Sequence, residues 1–183
     1  MNLPNRLTII RAVLIPFYLV FLMVDFGFKG SNLIAAAIFI IASFTDFLDG
    51  KIARKYNQVT NFGKFMDPLA DKLLVCSALI AFIELGRLPA WIVIIIIARE
   101  FIISGFRLVA SDEGIVIAAS MWGKVKTTVQ MIMIITLTVN LDIPFINVIE
   151  MILVYASLAL TLISLADYLI KNKNVVTNKK SAR

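Results

Sequence analysis

The sequence contains no histidine and a single cysteine, Cys76. One cysteine excludes an intrachain disulfide, and the two scarcities together exclude a zinc site built from Cys and His. Without histidine, any general base must be Asp, Glu, Lys or Tyr. Charge is scarce as well, at 16% of residues. Apolar residues fill the space instead: 60% of the 183 residues are hydrophobic, against about 45–50% in an ordinary soluble domain. Mean hydropathy is +0.91. A membrane-spanning helix uses about 20 residues, so this composition fills five or six spans and leaves little over. That excludes a soluble enzyme, a disordered tail protein and a single-anchor protein. It predicts one all-α integral membrane domain without a large extramembrane part.

Six apolar runs carry the spans, at residues 7–28, 32–54, 67–85, 89–110, 124–141 and 146–170. The first reads as a span rather than a signal peptide, because no small-residue cleavage site follows it. Pro4, Pro89 and Pro144 sit at or just before helix starts, where a missing N–H costs little. Pro16 lies inside the first run, where a kink is expected. The expected organisation is a single six-helix transmembrane domain over residues 1–170, followed by a basic tail over residues 171–183.

Six spans put both termini on one side of the membrane. Of the 18 Lys and Arg residues, 15 fall on that side. Only Lys29 and Arg87 fall on the other, and Arg99 lies within the fourth run. This positive-inside bias predicts that both termini and the basic tail are cytoplasmic. The net charge of +6 then reflects topology and anionic membrane lipids rather than nucleic acid.

Four of the 12 acidic residues form a pattern that hydropathy alone would not select. Asp46, Asp49, Gly50 and Ala53 are spaced i, i+3, i+4, i+7, which is one helical stripe. Asp67 and Asp71, at i and i+4, form another. The two runs are consecutive and antiparallel, joined on the cytoplasmic side, so both carboxylate pairs lie at the same depth and can face each other. Four carboxylates at a membrane boundary repel unless hard cations join them, and all-oxygen ligation points to Mg²⁺ or Mn²⁺. Two pairs suit two cations, an arrangement used in phosphoryl chemistry. Gly50 and Ala53, nearly without side chains, leave room beside them for a nucleotide. A single such Asp is more often a helix cap; four on two matched stripes point to function.

The run Asp46-x-x-Asp49-Gly50-x-x-Ala53-Arg54, eight residues, then Gly63-x-x-x-Asp67-x-x-x-Asp71 resembles the complete signature of the CDP-alcohol phosphatidyltransferases. The resemblance implies that Asp46, Asp49, Asp67 and Asp71 bind two divalent cations and that Asp71 is also the general base. It implies that Gly50, Ala53, Arg54 and Gly63, with Asn5 and Thr8, seat the CDP-lipid. The reaction it implies is attack of an acceptor hydroxyl on the lipid-side phosphorus of CDP-diacylglycerol, with CMP leaving. It also implies a homodimer; the charge bias places the catalytic site at the cytoplasmic face of the cell membrane.

The second half of the chain is expected to hold the acceptor. Glu100, Ser104 and Arg107 share a stripe at i, i+4, i+7, and Arg99 adjoins it. The fifth run opens Gly123-Lys124-Val125-Lys126-Thr127-Thr128. Arg107, Lys124 and Lys126 gathered at the cytoplasmic face, with Arg99 deeper, fit an acceptor that carries its own phosphate. The plainer reading of Lys124 and Lys126 is as positive-inside or head-group residues. The stretch Ala98-Arg99-Glu100…Arg107, the run Gly123-Lys124-x-Lys126-Thr127 and the opening Asn2-Leu3-Pro4-Asn5-x-Leu7-Thr8-x-x-Arg11 resemble the branch of the family that uses glycerol 3-phosphate. A branch with an inositol phosphate acceptor also takes a phosphorylated alcohol and stays open. A reading of another class is a divalent-cation transporter, since acidic groups can line a cation path. Transporter sites usually sit near the midplane, however, and the outer half offers only Asp25, Glu84, Asp142 and Glu150.

Overall fold

Prolines and glycines set where the helices begin and end. The structure, a computed structural model, describes residues 3–27, 30–55, 61–112 and 120–172, with side chains for 8–27, 30–45, 69–70, 72–110 and 120–172. Among the described residues there are six helices and no strand: α1 (Leu3–Met23), α2 (Ser31–Lys55), α3 (Asn61–Glu84), α4 (Ala90–Asp112), α5 (Met121–Val139) and α6 (Pro144–Lys171). Pro4 lies in the first turn of α1, Pro89 immediately precedes α4 and Pro144 opens α6, all places where no intrahelical N–H bond is lost. Pro16 lies inside α1, which stays helical through it.

The helix ends are closed by local chemistry. After α3, Gly86 takes a φ of 68°. The Gly86 N–H donates to the Ile83 carbonyl at 3.0 Å and the Arg87 N–H to the Phe82 carbonyl at 2.8 Å. These two crossed bonds satisfy carbonyls that the helix end would otherwise orphan. Asn140, at a φ of 52°, turns the chain after α5. At the start of α5, the Ser120 hydroxyl accepts the Gly123 N–H at 3.1 Å, a serine cap.

The chain divides into two compact units. The first comprises Met1–Ala90 and Ile134–Ile143. In it α1 packs against α2 and α3, and α2 against α3. The buried face of α1 is Thr8, Arg11, Ile15, Tyr18 and Leu22, at helical three- and four-residue intervals. Against it α2 buries the small residues Ala35, Ala36 and Ala42 around Phe39, and small residues let helix backbones approach closely. The Tyr18 and Phe39 rings lie 5.5 Å apart. Tyr18 Oη is 3.1 Å from Thr138 Oγ1. Thr138 spends its own proton on the Ile134 carbonyl at 2.8 Å, so Tyr18 is the donor. Arg87 donates to the Leu137 carbonyl.

The second unit comprises Trp91–Met133 and Pro144–Arg183. Its α6 buries one stripe: Glu150, Val154, Ser157, Thr161, Ser164 and Tyr168. Most of that stripe is polar. Thr161 donates to the Ser157 carbonyl at 2.7 Å and Ser164 to the Thr161 carbonyl at 3.2 Å, which satisfies both hydroxyl protons within the helix. Lys171 pairs with Asp167 one turn back at 2.6 Å.

All six expected spans correspond to helices, with different ends. Only Pro144–Lys171 is long and apolar enough to cross a membrane by length and composition among the described residues. Shorter apolar helical stretches run over Thr8–Met23 and Ser31–Thr45. In α4 and α5 the apolar run is broken by Arg99, Glu100 and Arg107, and by Lys124 and Lys126. Outward positions of α4, among them Ile94, Phe101 and Leu108, are apolar and exposed.

Candidate functional site

In the first unit, the carboxylate residues expected from the sequence fall on the last turns of α2 and the first turns of α3. Asp46, Asp49, Gly50, Ala53 and Arg54 lie in α2, and Gly63, Asp67 and Asp71 in α3. Their backbone is helical, so the i, i+3, i+4, i+7 and i, i+4, i+8 intervals put each set on one helix face. Their side chains, and that of Asn5, lie outside the described residues. No group of three or more His, Cys, Asp or Glu side chains suited to a metal occurs among the described residues; those four Asp side chains are not among them. Immediately before the stripe, Ser43 donates to the Phe39 carbonyl at 2.8 Å and Thr45 to the Ala42 carbonyl at 2.7 Å. Both hydroxyls are thereby turned back onto their own helix.

Thr8 is buried at 1% exposure, and Arg11, one turn on, is buried completely. A buried guanidinium is costly unless it is matched by polar partners. Arg11 is absent from the residues expected to act. The signal for it was present, as a charge inside an apolar run at three-residue spacing from Thr8.

In the second unit, the structure gathers two of the four expected acceptor cations. Arg99 of α4 and Lys126 of α5 are both buried, at 8% and 1% exposure. They meet on one atom, Oε1 of Glu100: Arg99 Nη1 lies 3.0 Å from it, and Lys126 Nζ pairs with the same oxygen. The Arg99 Nε donates to Ser164 Oγ of α6 at 3.1 Å. Arg99 Nη2 lies against Gly123, 3.5 Å from where a Cβ would stand. One guanidinium therefore bonds groups on α4 and α6 and lies beside the start of α5.

The other two cations are placed differently. Lys124 is exposed; two residues from Lys126, it cannot share its face. Arg107 is exposed too, and its guanidinium carbon lies 5.9 Å from the centroid of the Tyr168 ring, within cation–π range. Phe106 meets the same ring edge-on at 5.9 Å. Ser104, on the expected stripe, donates to the Glu100 carbonyl at 2.6 Å. Glu100 and Ser164 carry the cluster, yet neither is among the residues expected to act. Glu100 was visible on its stripe beside Arg99; Ser164 gave no signal beyond its polarity.

A short acidic-and-glycine signature on two consecutive helices, followed by a buried cationic cluster, invites comparison with known transferases. The family model for CDP-alcohol phosphatidyltransferase matches residues 1–163. The chain belongs to the CDP-alcohol phosphatidyltransferase family. It is thus an enzyme of the phosphatidyltransferase type rather than a cation transporter. Three relatives bear the name CDP-diacylglycerol–glycerol-3-phosphate 3-phosphatidyltransferase. That of Bacillus subtilis (strain 168) is 47% identical over 154 residues, 79% of this chain and 79% of the relative. That of Haemophilus influenzae is 40% identical over 173 residues, covering 92% and 91%. That of Sodalis glossinidius is 38% identical over 175 residues, covering 92% and 93%.

Proposed function

We propose that this phosphatidyltransferase moves the phosphatidyl group of CDP-diacylglycerol to glycerol 3-phosphate, forming phosphatidylglycerophosphate and releasing CMP. The observation that carries this reading is the 47% identity, over 79% of both chains, with a relative named for that reaction. The Arg99–Glu100–Lys126 cluster, with both its cations buried, supports a phosphorylated acceptor, since charge-assisted bonds from two cations suit a phosphate.

The CDP-lipid is assigned to Asn5, Thr8, Gly50, Ala53, Arg54 and Gly63, and the acceptor phosphate to Arg99, Arg107, Lys124 and Lys126. Asp46, Asp49, Asp67 and Asp71 are assigned as ligands of two divalent cations, Mg²⁺ or Mn²⁺; a donor set of four carboxylates fits hard cations. When bound, the cations supply neutralisation of the charge on the CDP pyrophosphate. Asp71 takes the proton from the acceptor hydroxyl. The hydroxyl oxygen forms a bond to the lipid-side phosphorus, the bond from that phosphorus to the CMP oxygen breaks, and CMP carries the electron pair away. Small side chains at Gly50 and Ala53 leave space for the nucleotide.

The chain is read as a multi-pass protein of the cell membrane. Six helices span, over a single catalytic domain of residues 1–170. Both termini, the tail over 171–183 and the reacting groups lie on the cytoplasmic side, in a homodimer. The charge asymmetry of the sequence supports this topology.

The test is CMP release by purified protein in CDP-diacylglycerol vesicles with a panel of acceptors, the product identified by mass. Glycerol 3-phosphate is expected to be the preferred acceptor. Preference for an inositol phosphate would move the chain to another branch. Absence of CMP release with every alcohol would overturn the reading.

A further inference from the structure

Within the second unit, one carboxylate oxygen organises two cations from different helices. Arg99 and Glu100 are neighbours in α4, and Lys126 lies 26 residues on in α5. The guanidinium of Arg99 is fixed at two places, by Ser164 on its Nε and by Glu100 on Nη1. Its third nitrogen, Nη2, lies beside Gly123, 3.5 Å from where a Cβ would stand. Because Arg99 and Lys126 both bond Glu100 Oε1, their cationic heads lie within two hydrogen-bond lengths of each other. Like charges so close repel, and each long side chain gives up rotamer freedom to stay there. Glu100 offsets part of both costs by accepting from each cation.

We propose that Glu100 is a positioning residue for the acceptor phosphate. It holds Arg99 and Lys126 side by side as a preformed pair of donors and so sets the preference for a phosphorylated acceptor. This rests on the reading of Arg99 and Lys126 as phosphate ligands. Glu100 itself does not touch the phosphate, which its charge repels. Two effects of removing that charge oppose each other. Loss of a nearby anion strengthens the pull on phosphate. Loss of the bridge removes the oxygen that both heads bond, so the like-charged pair drifts apart and each long side chain regains rotamer freedom. That separation breaks up the preformed pair, whereas the gain in attraction needs both donors in place. Positioning therefore wins, and the acceptor binds more weakly without Glu100.

The experiment is a two-substrate kinetic matrix on the full chain in detergent, with thermal stability measured on each variant: wild type, Glu100→Gln, Glu100→Asp, Lys126→Gln and the double variant Glu100→Gln/Lys126→Gln. Glu100→Gln is expected to raise KM for glycerol 3-phosphate by about tenfold or more, the scale of one charge-assisted hydrogen bond. KM for CDP-diacylglycerol and kcat should hold within about twofold, against that tenfold scale. Glu100→Asp keeps the charge on a shorter arm and is expected to recover part of the loss. The double variant is expected to lose less than the two single losses combined, because Glu100 and Lys126 share one bond while Glu100 also holds Arg99. A lower KM for glycerol 3-phosphate in Glu100→Gln would make Glu100 a competitor for the cations and overturn the proposal. Equal rises in both KM values, with matching loss of thermal stability, would make it structural and overturn it too. If Glu100→Gln fails to fold, an unchanged acceptor KM in Glu100→Asp would overturn it instead. Should Lys126→Gln leave the acceptor KM untouched, the acceptor-site reading itself fails. A Lys126→Gln effect without a Glu100→Gln effect defeats the positioning role alone.

Discussion

The Arg99 guanidinium of α4 donates its Nε proton to the hydroxyl of Ser164 on α6, 3.1 Å away, and both groups are buried. The Ser164 hydroxyl passes its own proton to the Thr161 carbonyl, leaving its lone pairs toward Arg99. Ser164→Ala removes the acceptor and leaves a buried N–H unmet. The expected cost is about 1–3 kcal/mol, read as a lower thermal midpoint. KM for glycerol 3-phosphate should rise by roughly fivefold, since this is one of the two bonds that orient the Arg99 guanidinium. A two-substrate titration of Ser164→Ala checks this; an unchanged acceptor KM would detach Ser164 from the site.

Loss of a single signature carboxylate should end turnover without unfolding the bundle. Asp46→Asn and Asp67→Asn each remove one charge from a helix face and no bulk. Activity is expected to vanish while helical content and membrane insertion persist. Chelation by EDTA should act likewise and reverse on adding Mg²⁺ or Mn²⁺. Full turnover in verified metal-free buffer would contradict the assignment of these carboxylates.

Bulk on the α2 stripe should block the nucleotide. Gly50→Leu and Ala53→Leu keep a good helix former in place, so α2 should survive. KM for CDP-diacylglycerol is expected to rise with binding of divalent cation largely kept. Isothermal titration with Mn²⁺ alongside lipid-substrate kinetics separates the two, and unchanged lipid kinetics in both variants would turn this stripe away from the substrate.

Arg107 lies over the Tyr168 ring and apart from the Glu100 bridge. Arg107→Ala should raise KM for glycerol 3-phosphate roughly ten- to a hundredfold, the worth of a charge-assisted bond to phosphate. Lysine should restore part, because it lacks the planar fork that stacks on the ring. Free glycerol should be a poor acceptor in all three proteins, at a rate indifferent to position 107. An equal loss for both substrates would reassign Arg107 to structure or to the CDP pyrophosphate.

Hydropathy locates all six helices because each carries an apolar run, but it reads the hydrocarbon layer rather than the backbone. α3 therefore begins at Asn61, ahead of the expected 67, and α5 at Met121, ahead of 124, since backbone bonding continues through polar turns such as Gly63-Lys64 and Gly123-Lys124. At the site, Arg99 stands out as a charge inside an apolar run, and Lys126 as a charge at the start of one. Their meeting point does not: the Glu100–Lys126 pair joins two helices, and spacing within either one says nothing about it. The separation of Arg107 from that pair was equally hidden. It follows from the Tyr168 ring on α6, which no stripe on α4 announces.

The bond from Tyr18 to Thr138 spans 120 residues of chain, and the first unit is completed only by residues 134–143. A ribosome adds about 5–20 residues per second, so the buried Tyr18 hydroxyl waits on the order of ten seconds for its acceptor. During that interval α1, α2 and α3 must be held by their own packing while α4 is still being made. A nascent chain carrying Tyr18→Cys in a Cys76→Ala background and arrested before residue 134 should therefore react with thiol probes, and one released after residue 143 should not.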